Sequence, residues 1–118
     1  MKLVDLTHAV LNFDDLAARQ WVKDAARSNF DGVDWSEPTS NLHNEHVVAA
    51  ALAELLCSRA HLAVPSWTER VTPAAEALFL ERSANEGNLR LRELLKRDAP
   101  EPLRRRNVFA PGSYLQML

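Results

Sequence analysis

Several residue types are scarce in this chain, and each scarcity closes off a class of protein. One cysteine, Cys57, stands among 118 residues, so neither an internal disulfide nor a multi-cysteine zinc site can form. The three glycines, Gly32, Gly87 and Gly112, are isolated from one another. No Gly-rich loop therefore exists to cradle phosphate in the manner of a P-loop or dinucleotide fold, and no Gly-x-Ser-x-Gly turn carries a serine nucleophile. Isoleucine is absent and valine is scattered, which removes much of what strands favour. No apolar run reaches the roughly 18–20 residues of a membrane span. The opening stretch, MKLVDLTHAV, sets an aspartate inside its apolar residues and does not read as a secretory signal; a cytoplasmic chain with no membrane partner is expected. Excess charge is lacking too. Fourteen basic against sixteen acidic residues give a net charge of −2, so the chain as a whole is not a polycation built to coat nucleic acid.

What is abundant points to helix. Leu (18) and Ala (17) make up almost a third of the chain, and both are strong helix formers. Apolar residues at 47% and charged residues at 25% are the proportions of a folded globular chain and exclude wholesale disorder. The length fits one domain over residues 1–118. The expected class is all-α: a single compact domain of about five helices around a central apolar helix near residues 44–62.

The pattern along the chain gives the pieces. Leu3, Leu6, Val10 and Phe13 recur at helical spacing over residues 2–13. Asp14 or Asp15 is placed to cap a second helix carrying Leu16, Trp21, Val22, Ala25 and Ala26, which ends before the turn pair Asp31-Gly32. A polar link over residues 34–41 holds Trp35, expected to fold back onto the core, and Pro38. The segment from Asn44 to about Leu62 is the strongest helix, apolar nearly all round from Val47 to Cys57, as a helix buried on several sides must be. Val64-Pro65-Ser66-Trp67-Thr68 breaks it, with Trp67 expected as a packing anchor. Pro73 fits the first turn of a short helix running to about Leu80. Asn88 is placed to cap a helix over residues 89–97, where Leu91, Leu94 and Leu95 alternate with charges. Pro100 and Pro102 end it. The run Arg104-Arg105-Arg106 follows in an expected exposed turn, then an apolar tail of Tyr114, Leu115, Met117 and Leu118, which docks either on its own domain, the favoured reading, or in a partner.

Few residues cluster in a way that carries chemistry. His43 and His46 lie three apart at a helix start, so both rings can share a face and a metal is geometrically allowed. Yet His43-Asn44-Glu45-His46 is neither of the zinc-protease patterns and no third ligand has a recognisable spacing; a small enzyme or metal site here is the least favoured reading. Cys57 and His61 are one turn apart, but a thiol on so apolar a helix is expected to be buried and inert. No catalytic residue, cofactor or metal is therefore expected. Charge is uneven: residues 1–59 sum to −4, residues 60–118 to +2, and the stretch from Arg82 onward to +4. Three consecutive arginines can meet carboxylates or phosphates in paired hydrogen bonds, or pair within the chain with Glu93, Asp98 or Glu101. A helix-turn-helix wants two short helices on a tight turn with a polar second helix, and no segment fits. Arg104, Arg105, Arg106, Tyr114 and Leu115 are accordingly the expected contact surface for a protein partner, with a nucleic acid as the alternative.

Pro65-Ser66-Trp67-Thr68, the run Pro100-Glu101-Pro102-Leu103-Arg104-Arg105-Arg106-Asn107 and the closing Tyr114-Leu115 together resemble a group of small uncharacterised bacterial all-α proteins. Arg19-Gln20-Trp21-Val22 and Ala53-Glu54-Leu55-Leu56 add to the likeness, which extends over most of the chain beyond about residue 15. Proteins of this group are common in GC-rich bacteria, some are encoded beside nucleotidyltransferase-like toxins, and related segments end some helix-turn-helix regulators. The resemblance implies an antitoxin-like or regulatory protein whose partner is a cognate toxin or a second copy of itself. It brings no catalytic residues. The helix-turn-helix part of the regulators has no counterpart here.

Overall fold

The computed structural model describes residues 1–116 and is all-α in class. Helix α1 (Leu3–Leu11) buries Leu3, Leu6 and Val10, the spacing read from the sequence. Helix α2 (Asp15–Ala26) starts where Asp14 Oδ1 accepts the backbone N–H of Ala17 at 3.1 Å, satisfying one of the free donors at a helix start. Its buried stripe is Ala18, Val22 and Ala25. Leu16, expected in that stripe, is 80% exposed.

Helix α3 (His43–Arg59) is the centre. Every residue from Val47 to Cys57 except Glu54 is buried. The small side chains of Ala49, Ala50, Ala51 and Ala53 allow α1 and the C-terminal elements to approach closely from several sides. The helix stops at Arg59, short of the expected Leu62. His61 adopts a left-handed φ of +59°; its N–H reaches Ser58 O at 3.3 Å and that of Leu62 reaches Cys57 O at 2.8 Å. These are the closing bonds that usually accompany a glycine. Histidine tolerates this conformation better than most residues, so the stop carries no glycine signal.

The link after α2 returns to the core, as expected of Trp35. Its ring meets Trp21 edge-on at 6.3 Å and Phe30 at 6.0 Å, and Asp34 bridges back to Met1 and Leu3. After α3, a 3₁₀ turn (Ser66–Arg70) seats Trp67, 9% exposed, with its indole N–H donating to Trp35 O at 2.8 Å.

The expected helix over residues 73–80 is absent, and the segment runs extended into β1 (Leu78–Phe79). Tertiary pairing overrides local propensity here. Ala74 N–H donates to Arg106 O, Leu78 N–H to Asn107 O and Leu80 N–H to Phe109 O, so β1 lies parallel to β2 (Val108–Phe109). Alternation along this pair separates two apolar clusters. Leu78, Leu80, Val108 and Ala110 join the main core with α1, α2 and α3; Phe79 and Phe109 turn the other way, to Ala84, Leu95 and Ala99. The second cluster is formed with α4 (Arg82–Asn85) and α5 (Leu89–Asp98), the latter capped by Asn88 Oδ1 on Leu91 N–H at 3.0 Å as expected. Pro100 precedes α6 (Glu101–Arg104), and Pro102 sits in its first turn, where no N–H is needed. The C-terminal turn crosses close to the end of α5; a Cβ on Gly112 would lie 2.9 Å from Asp98 O. No helix among the described residues is long and apolar enough to cross a membrane. Met117 and Leu118 of the apolar tail lie outside the described residues.

Trp67 closes the seam between the 34–36 link and α3. Trp67→Ala removes a buried ring and its hydrogen bond, a loss of about 3–5 kcal/mol. Thermal unfolding should show a large fall in melting temperature, and an unchanged one would mean that the ring does not anchor the fold.

Candidate functional site

The three arginines divide their work. Arg104 Nη2 donates to Glu101 Oε2 at 2.7 Å, one turn back on α6 and in solvent. Arg105 and Arg106 both donate to Glu54 Oε1 on α3. Arg106 also donates to Pro102 O at 2.8 Å and is only 5% exposed. The expected exposed turn is found at Arg104 and Arg105 and is corrected at Arg106. The head group of Arg106 faces inward because the carboxylate of Glu54, on an otherwise apolar stretch of α3, needs a buried cation. Glu101 was the foreseen partner of one arginine. Glu54, some fifty residues away, was not, since no local spacing links it to α6.

Tyr114 and Leu115 dock on their own domain, the favoured of the two readings of the tail, and are corrected as part of the contact surface. Both are buried against the main core, and Arg59 fastens them there by donating to Tyr114 O at 2.5 Å. Arg59 stands at the end of α3, where a cation complements the helix dipole.

A different face is left open. Helix α5 buries only Leu95 completely. Arg92 and Lys96 lie over the Phe79 ring at 5.1 and 5.9 Å, and Arg92 Nε donates to Ala84 O, so these two cations hold α5 onto the second cluster. Arg90, Leu94 and Arg97 share another face by spacings of four and three residues. Leu94 is 38% exposed there, and Leu89, at the helix start, is 69% exposed. Arg97 meets only its exposed neighbour Asp98, and Arg90 has no ion-pair partner among the described residues. The sequence showed leucines alternating with charges but not which leucines the small second cluster would leave uncovered.

The histidines do not gather. His43 Nε2 lies 3.3 Å from Thr72 Oγ1 and 3.4 Å from Pro73 O, whereas His46 points to Ser40 O at 2.6 Å and Glu37 at 3.4 Å. No group of three or more potential metal ligands forms among the described residues. The buried group of this region is Glu45, between them in sequence. His8 Nε2 meets its Oε1 at 2.9 Å and Ser40 donates to its Oε2 at 2.9 Å. Burial pushes the Glu45 carboxyl up, but the bonds from Ser40 and His8 and the charges of His8 and His46 outweigh it and hold the group below its ordinary 4.5. Cys57 is buried, and burial pushes its thiol up to about 11, away from the thiolate form that reacts. His61 is exposed at the helix end.

No family model matches the chain, and neither a curated protein nor a solved structure matches it.

Arg106 and Arg104 should differ sharply on substitution. Arg106→Gln leaves Glu54 half-paired in a covered position and should cost on the order of 3 kcal/mol, whereas Arg104→Gln breaks an exposed pair worth about 0–1 kcal/mol. Equal urea midpoints for the two variants would contradict the inward placement of Arg106.

The Glu45 carboxyl gives the fold an acid-side dependence. Its proton binds less readily in the folded state than in the unfolded chain, so the stability it contributes is complete above its ordinary 4.5 and is lost as pH falls through the lower folded value. Glu45→Gln does not titrate. Its stability should start lower at neutral pH and fall less steeply below about pH 5 than that of the parent chain. Parallel pH profiles would remove Glu45 from acid unfolding.

Proposed function

We propose that this chain is a non-catalytic protein-interaction module, the antitoxin-like member of a toxin–antitoxin pair, and that it docks through the open face of α5 onto an acidic surface of its partner protein. The observation that carries this reading is the stripe Arg90, Leu94 and Arg97 on α5: partly exposed leucine surface between two cations, with the exposed Glu93 at its edge. Interfaces that last combine an apolar centre with a polar, charged rim. Cations of that rim steer an acidic partner and fix its register. Arg104, about half exposed, extends the same sign of charge into the following helix. The antitoxin aspect rests on the resemblance carried by Pro65–Thr68 and Pro100–Asn107.

Leucine on the contact face favours protein over nucleic acid, because phosphate contacts draw on cations and polar groups and gain little from an aliphatic side chain. The test is a binding assay against the product of the neighbouring gene and against duplex DNA, each at two salt concentrations. Leu94→Asp should weaken the protein complex by about tenfold or more while lowering the melting temperature far less than Trp67→Ala, and Arg90→Glu with Arg97→Glu should slow association. A complex insensitive to Leu94→Asp would refute docking through α5. Binding to DNA that falls steeply with salt and is lost with the two arginines would replace the module by a nucleic-acid-binding regulator.

A further inference from the structure

A second site lies away from α5, in a cleft of about 470 Å³ between the start of α2, the residue before α4 and the C-terminal turn. This volume is in the range of small-molecule sites. Asp15 and Arg19 enter it from α2, one turn apart; Glu81 enters from the end of the extended segment, and Tyr114 from the turn. Neither carboxylate forms an ion pair within 4.0 Å among the described residues. Two carboxylates and one guanidinium leave the cleft with one net negative charge.

Tyr114 supplies an independent observation. The residue is 8% exposed, yet its hydroxyl makes no hydrogen bond among the described residues. No side-chain oxygen or nitrogen sealed from solvent lacks a partner among the described residues, so the phenol oxygen keeps some solvent access, and the cleft is the opening that Tyr114 lines. The oxygen lies in the field of Asp15, Glu81 and Arg19, all of which act on it. Here it is held among charges with an unused acceptor.

We propose that this cleft binds a small organic cation, a molecule whose primary ammonium group sits between the carboxylates of Asp15 and Glu81 and donates a further hydrogen bond to the Tyr114 hydroxyl oxygen. An ammonium offers three donors, and the cleft offers three separate acceptors. Charge-assisted bonds of this kind are the stronger ones, and one positive charge neutralises the site. Burial raises the Glu81 carboxyl, Asp15 raises it further and Arg19 only partly offsets the two, so Glu81 sits in a poor environment for an anion, which a bound cation would relieve.

The test uses the full chain, ¹⁵N-labelled, titrated with n-butylamine, with butyrate and 1-butanol as probes of the same size, and with magnesium chloride as an inorganic cation. The expected result is a saturable shift confined to the amides of Asp15–Arg19, Glu81 and Ser113–Gln116 with the amine and with neither organic control. Glu81→Gln should weaken amine binding by about tenfold or more and Tyr114→Phe should weaken it measurably. Glu81→Gln removes a poorly solvated charge and should melt no lower than the parent, so its lost binding is not lost folding; should Tyr114→Phe fail to fold, Glu81→Gln alone decides. Shifts that do not saturate, an equal response to butyrate, saturation of the same amides by magnesium, or unchanged affinity in Glu81→Gln would each overturn the proposal.

Discussion

One carboxylate on the central helix sets much of the chain's arrangement. Between Val47 and Cys57, α3 carries a single charge, Glu54, and every residue around it in that stretch is buried. Enclosing such a helix on all sides is favoured by the roughly 25 cal/mol gained for each Å² of apolar surface removed from water, but a covered carboxylate opposes it unless paired. Arg105 and Arg106 provide the pairing. To reach Glu54 they must stand at the end of a short helix pressed on α3, and Leu103, fully buried on α6, gives that contact its apolar half. The residue that follows, Asn107, takes a φ of +65° and sends its side-chain N–H to Ala74 O at 3.0 Å. The β1–β2 pairing begins there.

The strand pair then explains why the C-terminal half has two faces of unequal cover. A parallel pair of two residues per strand contributes few hydrogen bonds. Its larger effect is to send alternate side chains to opposite sides. Leu80 and Val108 complete the core over α3, while Phe79 and Phe109, ring centroids 5.5 Å apart, start the smaller cluster. Five buried residues in that cluster are enough to seat one face of α5 and no more. The uncovered leucines follow from this geometry: among the described residues no further layer covers the second cluster, and Leu89 and part of Leu94 stay in solvent.

Local physics was legible and long-range pairing was not. The caps at Asp14 and Asn88, the spacing of Leu3, Leu6 and Val10, and the apolar girth of α3 can each be read within one or two turns of chain, because the side chain and the backbone group it satisfies are neighbours in sequence. The Ala-rich stretch after Pro73 reads as helix for the same local reason, but its backbone N–H groups are claimed by residues 106–109. His61 ends α3 in a conformation usually marked by glycine, so the boundary has no letter to announce it. The inward turn of Arg106 requires knowing that Glu54 is covered, and the Asp15–Glu81–Tyr114 cleft is assembled from three segments far apart in the chain. Within that site, each residue alone reads as a cap, a surface charge or a core aromatic.

The same bookkeeping decides which cations a partner could use. The stretch from Arg82 onward has an excess of four positive charges, which looks like a surface for polyanions until each cation's present occupation is considered. Arg82 lies over Phe13, and Arg92 and Lys96 over Phe79; drawing these away uncovers apolar rings. Arg105 and Arg106 share the covered carboxylate of Glu54, and releasing Arg106 would leave it half-paired at a cost on the order of 3 kcal/mol. Arg97 and Arg104 hold only exposed pairs, worth about 0–1 kcal/mol each, and exchange them readily. Arg90 has nothing to give up among the described residues. The usable charge is therefore Arg90, Arg97 and Arg104, with Leu94 lying between the first two on the same helix face. A duplex is bound through many phosphates at once, and its affinity grows with the number neutralised. Three readily released cations beside an exposed leucine match a compact acidic patch on a protein far better than a phosphate track.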